Sequence, residues 1–468
     1  MATWNNTKLA LSALTLSLLL SAVGCGGGES GGGGGPSSTT PPPGANDIID
    51  MHVTGSVGDG PVVGARIRVF SNTGAVLMES ESSSTADYDL TIKTQGKNYA
   101  VRIVADQGID LVTGAAPDFQ LVSAITRPNN RSISNLNPFS TLIYGTARKS
   151  GGIDDTRIES ARRAVVDRYG FGLDPAIIDD PTGTPIDKDN VHVIVKTSET
   201  LGEMIRRTRD AMITTGDNID GDVVVDRLSA DLTDGWIDGQ GATGHDPRTA
   251  AVANVASAAV LVQAMANRLH VYGSDATGAM DVAIGSVRPA STVTVADVRI
   301  PATALQQAAR ALAAAMVVSA DPVVEQALNV VRNTKPGATA QTMAAALPAG
   351  IDAALEQATL DAAFAGTAEI DSINAIGSAQ LNGTGFAKVS WTPPTEREDG
   401  TALETIDHYT IYYGTSSSNL DQSVRVDGTL TSHQVEELGN GTWYFAVTAT
   451  SSDGLQSAKS AVASKTIG

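Results

Sequence analysis

The chain has 468 residues, of which 42% are hydrophobic, and this length and apolar content predict two to four domains with cores of their own. It carries 51 acidic against 32 basic residues, a formal net charge of −19 at pH 7, and such a surface repels nucleic acid and anionic lipid. Its single cysteine excludes a disulfide within one molecule, so stability must come from packing.

The first 25 residues have the order of an export signal. Lys8 precedes an apolar run at 9–20, which is shorter than the roughly 20 residues that a bilayer span requires. The small residues of the tetrapeptide AVGC at 22–25 then lead directly into Cys25. A lone exposed thiol is a liability in an exported protein, so we expect Cys25 to be modified. The alternatives are a cleaved secretory signal that leaves a free thiol and an uncleaved anchor helix.

This segment resembles a bacterial lipoprotein signal, with Ala22 at the position where that family usually has leucine. In such signals the cysteine sulfur receives a diacylglyceryl group, the peptide is cut before the cysteine, and the new amino terminus is acylated. The resemblance implies that Cys25 is the lipidated residue, and two or more acyl chains give stable membrane attachment. Gly26 follows the cysteine in place of the aspartate that resembles an inner-membrane retention signal. We therefore expect an outer-membrane lipoprotein, on the periplasmic or the external face.

Residues 26–46 predict a tether between the lipid and the first folded domain. The sequence GGGESGGGGGPSSTTPPPGAN has no aliphatic side chain larger than alanine or proline and therefore cannot form a core. A flexible coil of about 20 residues has an r.m.s. span of roughly 25 Å, which holds the folded part clear of the lipid surface.

Residues 47–126 predict an all-β sandwich. Short segments alternate apolar and polar side chains with a period of two, and turns rich in glycine, asparagine and proline separate them. The predicted strands are 51–57, 65–70, 88–92 and 99–104.

The run GSVGDGPVVGA at 55–65, followed by Val69-Phe70 and Tyr88-Asp89-Leu90, resembles the carboxypeptidase regulatory-like (transthyretin-like) β-sandwich. The turn between Asp59 and Pro61 is shorter than in that family, and Ala86 stands where the family has glycine. The resemblance implies a spacer or binding module and supplies no catalytic residues.

Residues 127–366 predict an α-helical domain, because apolar side chains recur there at helical spacing. Asn137 is placed to cap the first helix and Pro138 to occupy its first turn. The uncharged segment 249–267 is long enough for a membrane span, but its polar residues and its high alanine content favour a buried core helix. The predicted helices are 138–150, 158–169, 194–212, 222–234, 247–271, 302–318, 321–332 and 339–364.

Two short motifs in this region resemble elements of uncharacterised exported bacterial proteins. The sequence NPFSTL at 137–142 resembles their N-x-T-P-L-T-T-L junction, and DLTDGWIDG at 231–239 resembles their recurring D-L-x-D-G-x-x-D-G. Neither resemblance implies an activity.

Residues 367–468 return to strand periodicity and resemble a fibronectin type III domain. Three separated segments carry the resemblance in the family's order, namely AKVSWTPP at 387–394, IDHYTIYY at 406–413 and GTWYFAVTA at 441–449. The resemblance implies that Trp391 is the core tryptophan and that Tyr444 is the corner tyrosine whose hydroxyl bonds to the backbone. Both roles are structural. The expected fold class is therefore multidomain, with an all-β sandwich, an α-helical domain and a fibronectin type III sandwich in succession.

The sequence does not point to catalytic residues. Its six histidines are at least 25 residues apart, so no local zinc pair exists, and we expect no obligatory cofactor. The string G-x-S-x-G at 28–32 lies in the tether, where no strand-to-helix turn can form a nucleophile elbow.

Calcium is the one metal that the sequence suggests, and we expect it to bind weakly if it binds. Read from Asn218, the acidic segment has Val223 where a calcium loop has glycine and Ser229 where it has a bidentate glutamate. Helix capping and solvated turns are the alternative roles. A second group of possible ligands, Asp231, Asp234 and Asp238, has the helical spacing of three and four and could equally cap the next turn. The calcium candidates are Asp217, Asn218, Asp220, Asp222 and Asp226.

Two functions from different classes follow. The first is a non-enzymatic, lipid-anchored envelope protein whose β modules bind a cell-surface protein or a glycan. The second is a secreted enzyme, polysaccharide-active or otherwise polymer-modifying, with its active site in the helical domain. A concave, water-accessible cluster of acidic, histidine or tyrosine side chains on that domain would favour the second.

Overall fold

The computed structural model describes residues 16–17, 46–129, 131–174, 177–378, 385–396, 405–438, 441–452 and 455–467. The chain divides into two compact units, Thr39–Ala379 and Gln380–Gly468, the second taken together with Met1–Ser38. Cys25 and the tether residues 26–45 lie outside the described residues, so their predicted roles remain predictions.

The described strands, in chain order, are β1 (Leu16–Ser17), β2 (Ile48–Ser56), β3 (Val62–Val63), β4 (Arg66–Phe70), β5 (Val76–Glu81), β6 (Asp87–Gln95), β7 (Val101–Asp106), β8 (Ile109–Asp110), β9 (Leu121–Ile125), β10 (His270–Val271), β11 (Ser274–Asp275), β12 (Gly385–Trp391), β13 (Ile406–Gly414), β14 (Gln422–Asp427), β15 (Ser432–Leu438), β16 (Gly441–Ser451) and β17 (Ala463–Ile467).

The described helices are α1 (Pro138–Lys149), α2 (Asp155–Tyr169), α3 (Val191–Thr214), α4 (Gly221–Asp231), α5 (Pro247–Met265), α6 (Thr277–Val287), α7 (Ala302–Val318), α8 (Pro322–Asn333), α9 (Ala340–Ala346), α10 (Ile351–Ala363) and α11 (Thr367–Ser378).

The N-terminal region is rich in sheet, as the alternating pattern predicts. A four-stranded antiparallel sheet has the order β5-β4-β7-β9, and β2 pairs separately with β6 along its whole length. In β6, buried Tyr88, Leu90 and Ile92 alternate with exposed polar residues, because successive side chains of a strand point to opposite faces. Buried residues of both sheets, such as Leu90 of β6 and Ile103 of β7, belong to one apolar cluster.

The middle of the chain is helical and is built around α5. Asp246 caps the N-terminus of α5, because its side chain accepts a hydrogen bond of 2.7 Å from the Thr249 N–H. Pro247 occupies the first turn of the helix. Every residue of 249–265 is buried, and α5 packs against α3, α7, α10 and α11. Within the described residues, α5 is the one helix long and apolar enough to cross a membrane, and 94% of that stretch is buried inside the structure. It therefore serves as the core helix of this region.

Several helix boundaries differ from prediction for local reasons. The segment predicted as one helix at 339–364 forms α9 and α10, because Pro348 disfavours helical backbone at Leu347 and Gly350 has φ of 86°. Helix α5 ends at Met265, since Asn267 turns into the left-handed region with φ of 53°. The sequence reading missed α6 and α11.

The sheet-rich and helical regions share a continuous core instead of forming two separate ones. Helix α1 packs on β9, and the Thr141 hydroxyl accepts a hydrogen bond of 2.9 Å from the Val122 N–H. The buried Tyr88 hydroxyl donates to the Ser134 carbonyl in the connection to α1. The helical region also extends to Ser378, twelve residues past the expected boundary at 366, because α11 packs on α5 and α7.

The second unit contains a four-stranded antiparallel sheet in the order β14-β13-β16-β17 and a three-stranded sheet in the order β1-β12-β15. Trp391 is 4% exposed within its apolar cluster, and its ring centroid lies 4.9 Å from that of Tyr409. Tyr444 is half-buried and its hydroxyl forms no hydrogen bond with the described residues, whereas its neighbour Phe445 is fully buried. The structure thus places Trp391 in the core and Tyr444 at its margin.

Candidate functional site

The predicted calcium segment is used for other contacts. Asp220 caps α4 by accepting a hydrogen bond of 2.9 Å from the Val223 N–H. Asp222 accepts one of 2.9 Å from the Gln120 N–H, and Asp226 pairs with both Arg148 and Lys149. Asp217 is half-buried and Asn218 is exposed. Within the described ranges, no group of three or more His, Cys, Asp or Glu side chains has the arrangement of a metal site.

The acidic motif at 231–239 contains two successive turns, and in each an aspartate side chain accepts a hydrogen bond from the N–H two residues later. Asp234 accepts a hydrogen bond of 2.9 Å from the Trp236 N–H, and Asp238 accepts one of 3.1 Å from the Gln240 N–H. Gly235 and Gly239 have φ of 91° and 77°, which explains why the motif has glycine after both aspartates. Spacing in this motif therefore reflects turn geometry.

Asp231 at the start of this motif is 1% exposed, and neither of its carboxylate oxygens has a hydrogen-bond partner in the described part of the chain. Burial, followed by repulsion from Asp238 and Asp234, raises the pKa of Asp231 to about 8. The N–H groups of Gly239 and Gln240 lie close enough to lower that pKa somewhat without reaching good hydrogen-bond geometry.

A buried ion network joins the sheet-rich region to α3, and the sequence reading missed it. Arg206 is its centre. The guanidinium Nη1 lies 2.6 Å from Asp59 Oδ2, Nη2 lies 3.1 Å from Glu199 Oε2, and Nε lies 2.8 Å from Glu203 Oε2. Arg206, Asp59 and Glu199 are each at most 2% exposed. Asp59 comes from the turn after β2, which the sequence pattern predicts as a connection between strands.

Two glycines allow the carboxylates to approach this closely. A Cβ at Gly202 of α3 would overlap the Asp59 carboxylate, and a Cβ at Gly60 would overlap Asp110 and Glu199. Asp110 in turn accepts hydrogen bonds of 2.8 Å from the Val112 N–H and the Thr113 hydroxyl. The glycines therefore hold the turn after β2 against the charged face of α3.

The electrostatics of the network follow from its excess of acid. Burial raises the pKa of Asp59 to about 7, although the adjacent Arg206 opposes the rise. Burial and repulsion from Asp110 and Asp59 also raise the pKa of Glu199. Glu203 also pairs with Arg207 at 2.9 Å, so Asp59 and Glu199 are the two carboxyl groups that depend on the Arg206 guanidinium alone. The neutral form of one of these two is therefore favoured near pH 7.

This network has little room for a substrate. A cavity of about 30 Å³ borders Asp59, Gly60 and Ser198, and that volume has room for no more than a few water molecules. Perturbed carboxyl groups often mark active sites, but they also arise in structural ion networks. Burial and the small adjoining cavity are typical of a structural ion network, so we infer that the Arg206 network stabilises the fold.

A cleft of about 450 Å³ on the same unit is accessible and has a different chemistry. Its floor is formed by Val101, Arg102 and Ala124 of the four-stranded sheet, one wall by the turn at 71–74, and the other wall by Tyr144 and Arg148 of α1. We call this feature the arginine cleft. Its volume lies within the range of small-ligand sites in proteins.

Arg102 is the central cation of the arginine cleft. Its guanidinium carbon lies 4.4 Å from the ring centroid of Phe70, the residue opposite it in the β4–β7 pairing. Its Nε is buried without a hydrogen-bond partner, and no Asp or Glu of the described residues forms an ion pair with it. By contrast, Arg66 and Arg68 on the neighbouring strand share Asp106.

The walls of the arginine cleft are held in place by the fold. The Asn72 amide donates hydrogen bonds of 2.9 Å to the Lys97 carbonyl and 2.8 Å to the Tyr99 carbonyl, which fixes the turn at 71–74. Arg148 Nη2 lies 2.8 Å from Asp226 Oδ1, and the other oxygen of this carboxylate forms an ion pair with Lys149. No sequence motif predicts this cleft, since its residues come from four separated segments of the chain.

No protein-family model matches the chain, and no curated protein matches it.

Proposed function

We propose that the protein is a bacterial cell-envelope lipoprotein that is anchored through Cys25 and displays its folded units for binding to a cell-surface protein or a glycan. The observation that carries this proposal is the order of Lys8, the apolar run at 9–20 and a lone cysteine after small residues. The net charge of −19 repels anionic lipid, so membrane attachment calls for a covalent lipid. Cleavage before Cys25 would also remove strand β1.

The proposed modules are a carboxypeptidase regulatory-like sandwich at the N-terminal end and a fibronectin type III domain at the C-terminal end. Support for the second comes from the grouping of β14, β13, β16 and β17 in one sheet with β12 and β15 in another, which is the grouping of an immunoglobulin-like sandwich. The burial of Trp391 on the β12 strand adds to that support.

A second cleft, of about 440 Å³, is lined by Glu81, Asp87, Asp89 and Tyr88 among others, and none of its lining residues belongs to a helix. Binding is favoured over catalysis by the chemistry of the arginine cleft. Arginine, tyrosine and a hydroxyl-bearing turn line it, and these groups recognise ligands by charge, stacking and hydrogen bonds. The network with strongly shifted carboxyl groups is instead buried around Arg206.

The anchor is tested by replacing Cys25 in cells. Cys25→Ser should abolish palmitate labelling and move the protein from the detergent phase to the aqueous phase, or leave an unprocessed precursor. Ser30→Ala in the tether is the matched control and should remain labelled and membrane-bound. Unchanged labelling and partitioning of Cys25→Ser would contradict the proposal.

A further inference from the structure

We propose that the arginine cleft binds an acidic saccharide, with the guanidinium of Arg102 pairing with a sugar carboxylate. This inference rests on the proposed function, because it narrows the expected partner from a protein or glycan to a uronate-bearing glycan and assigns it a site.

The first argument is the uncompensated charge of Arg102. A guanidinium stays protonated at all physiological pH values, so a half-buried one that lacks an anion carries a desolvation cost. Within the described residues, Arg102 has a contact with the Phe70 ring and no acidic partner. Its planar fork matches the two oxygens of a carboxylate.

The second argument is the local sign of the charge. On the α1 wall, Arg148 and Lys149 share the single carboxylate of Asp226, which leaves an excess of positive charge beside Arg102. On the sheet, Arg66 and Arg68 share Asp106 and lie opposite Glu81 and Glu79 of β5, so the excess of positive charge beside Arg102 comes from α1. A cationic concave surface on a protein with net charge −19 attracts an anionic ligand selectively to that place.

The third argument concerns the body of the ligand. Tyr144 offers a half-buried ring, and the turn at 71–74 offers the exposed hydroxyl of Thr73 and the backbone of Gly74. A pyranose combines an apolar face that can lie on an aromatic ring with several hydroxyl groups that can form hydrogen bonds to such a turn. The Asn72 hydrogen bonds fix the turn before binding, which lowers the entropic cost of association.

Isothermal titration calorimetry of the lipidated full-length protein in neutral detergent tests the proposal. The probes are oligogalacturonate, the neutral oligogalactose of equal length, and polyglutamate, all without divalent cations. We expect binding of oligogalacturonate, weaker binding or none of the other two, and an affinity that falls between about 50 mM and about 300 mM salt.

Three variants locate the binding. Arg102→Gln should weaken oligogalacturonate binding by roughly tenfold or more, as loss of a charge-assisted pair does, and Tyr144→Ala should weaken it as well. Arg332→Gln, which removes an exposed arginine of α8, should bind like the parent. The thermal unfolding midpoint of each variant reports whether it has folded.

Three results would overturn the inference. The parent protein does not bind oligogalacturonate, folded Arg102→Gln binds it as tightly as the parent, or polyglutamate binds equally well and so reveals a general anion site. These results leave the anchor test on Cys25 unaffected, so failure of the cleft and failure of the proposed function are distinguishable.

Discussion

Arg206 and Arg102 lie in the same compact unit, and both lie where the sheet-rich region meets the helices, yet they have opposite surroundings. Arg206 is 2% exposed and contacts the carboxylates of Asp59, Glu199 and Glu203. Arg102 lines an accessible cleft of about 450 Å³ and has no acidic partner among the described residues. Arg206 therefore stabilises the fold, whereas Arg102 is placed to contact a ligand.

The difference shows how an acidic protein can place its basic residues. With 51 acidic residues against 32 basic ones, acidic partners are abundant, and most described arginines have one. An arginine that stays unpaired in a cleft therefore says more about ligand binding than one with an acidic partner. Pairing within the fold fixes a residue in place, whereas the absence of pairing leaves its hydrogen-bonding capacity for another molecule.

The largest expected effect comes from breaking the Arg206 network. Arg206→Met should lower the free energy of unfolding by about 3 to 5 kcal/mol, because it leaves the buried carboxyl groups of Asp59 and Glu199 without their cation. Urea unfolding of the parent and the variant measures the change. Arg163→Met, at a half-exposed position of α2, is the control and should change stability by less than about 1 kcal/mol. A small loss for Arg206→Met would show that the network is dispensable.

The second test concerns the buried carboxyl group of Asp231, which has no cationic partner among the described residues. Burial raises the pKa of Asp231 to about 8, from the usual aspartate value of 3.8. Its contribution to stability is therefore fully present below pH 4 and is lost as the pH rises through about 8, with a limiting slope of about 1.4 kcal/mol per pH unit.

Asp231→Asn should remove this slope and make the protein more stable than the parent at pH 8, while the two differ least at pH 5. Urea midpoints between pH 5 and pH 8.5 measure it. The exposed Asp371→Asn is the matched control and should follow the parent. Parallel curves for the parent and Asp231→Asn would contradict the assignment of a proton to this carboxyl.

A smaller effect is expected in the acidic segment before α4. Asp220→Ala should cost about 1 kcal/mol, because it removes the side chain that caps the helix. Calcium titration should give the same heat for the parent and the variant, since the carboxylates of this segment have separate protein partners. Micromolar calcium binding that disappears in Asp220→Ala would make this segment a metal site after all.

The smallest effect on stability is expected at the cleft. Arg102→Gln should cost about 0.5 to 1 kcal/mol, the value of its contact with the Phe70 ring. Urea unfolding of the parent, Arg102→Gln and Arg206→Met under the same conditions compares the two losses of stability directly. A loss as large as that of Arg206→Met would mean that Arg102 also serves the fold, and the contrast between the two arginines would not hold.

Periodicity and local signals predicted much of this fold. The cap at Asn137, with Pro138 in the first turn, is confirmed by a hydrogen bond of 2.8 Å from the Ser140 N–H to the Asn137 amide oxygen. The order of a sheet-rich region, a helical region and a second set of strands is also as predicted. These features depend on residues that are neighbours in sequence, so they can be predicted from the sequence alone.

The sites could not be predicted in the same way. Asp59 and Arg206 are 147 residues apart, and Arg102 and Tyr144 come from a strand and a helix that meet only in the folded unit. A partial signal existed in α3, where Glu199, Glu203 and Arg206 recur at spacings of four and three on a helix that is apolar on its other face. Whether such a charged face meets solvent or a buried aspartate depends on tertiary contacts.

The central claim is that Arg102 is reserved for an acidic ligand, and ligand-induced stabilisation tests it most directly. Thermal unfolding of the parent and Arg102→Gln is followed with and without oligogalacturonate. At a ligand concentration of about 100 times the dissociation constant, the parent should gain about 2.7 kcal/mol in free energy of unfolding, whereas Arg102→Gln should gain much less at the same concentration. An equal gain in both proteins, or none in the parent, would contradict the account.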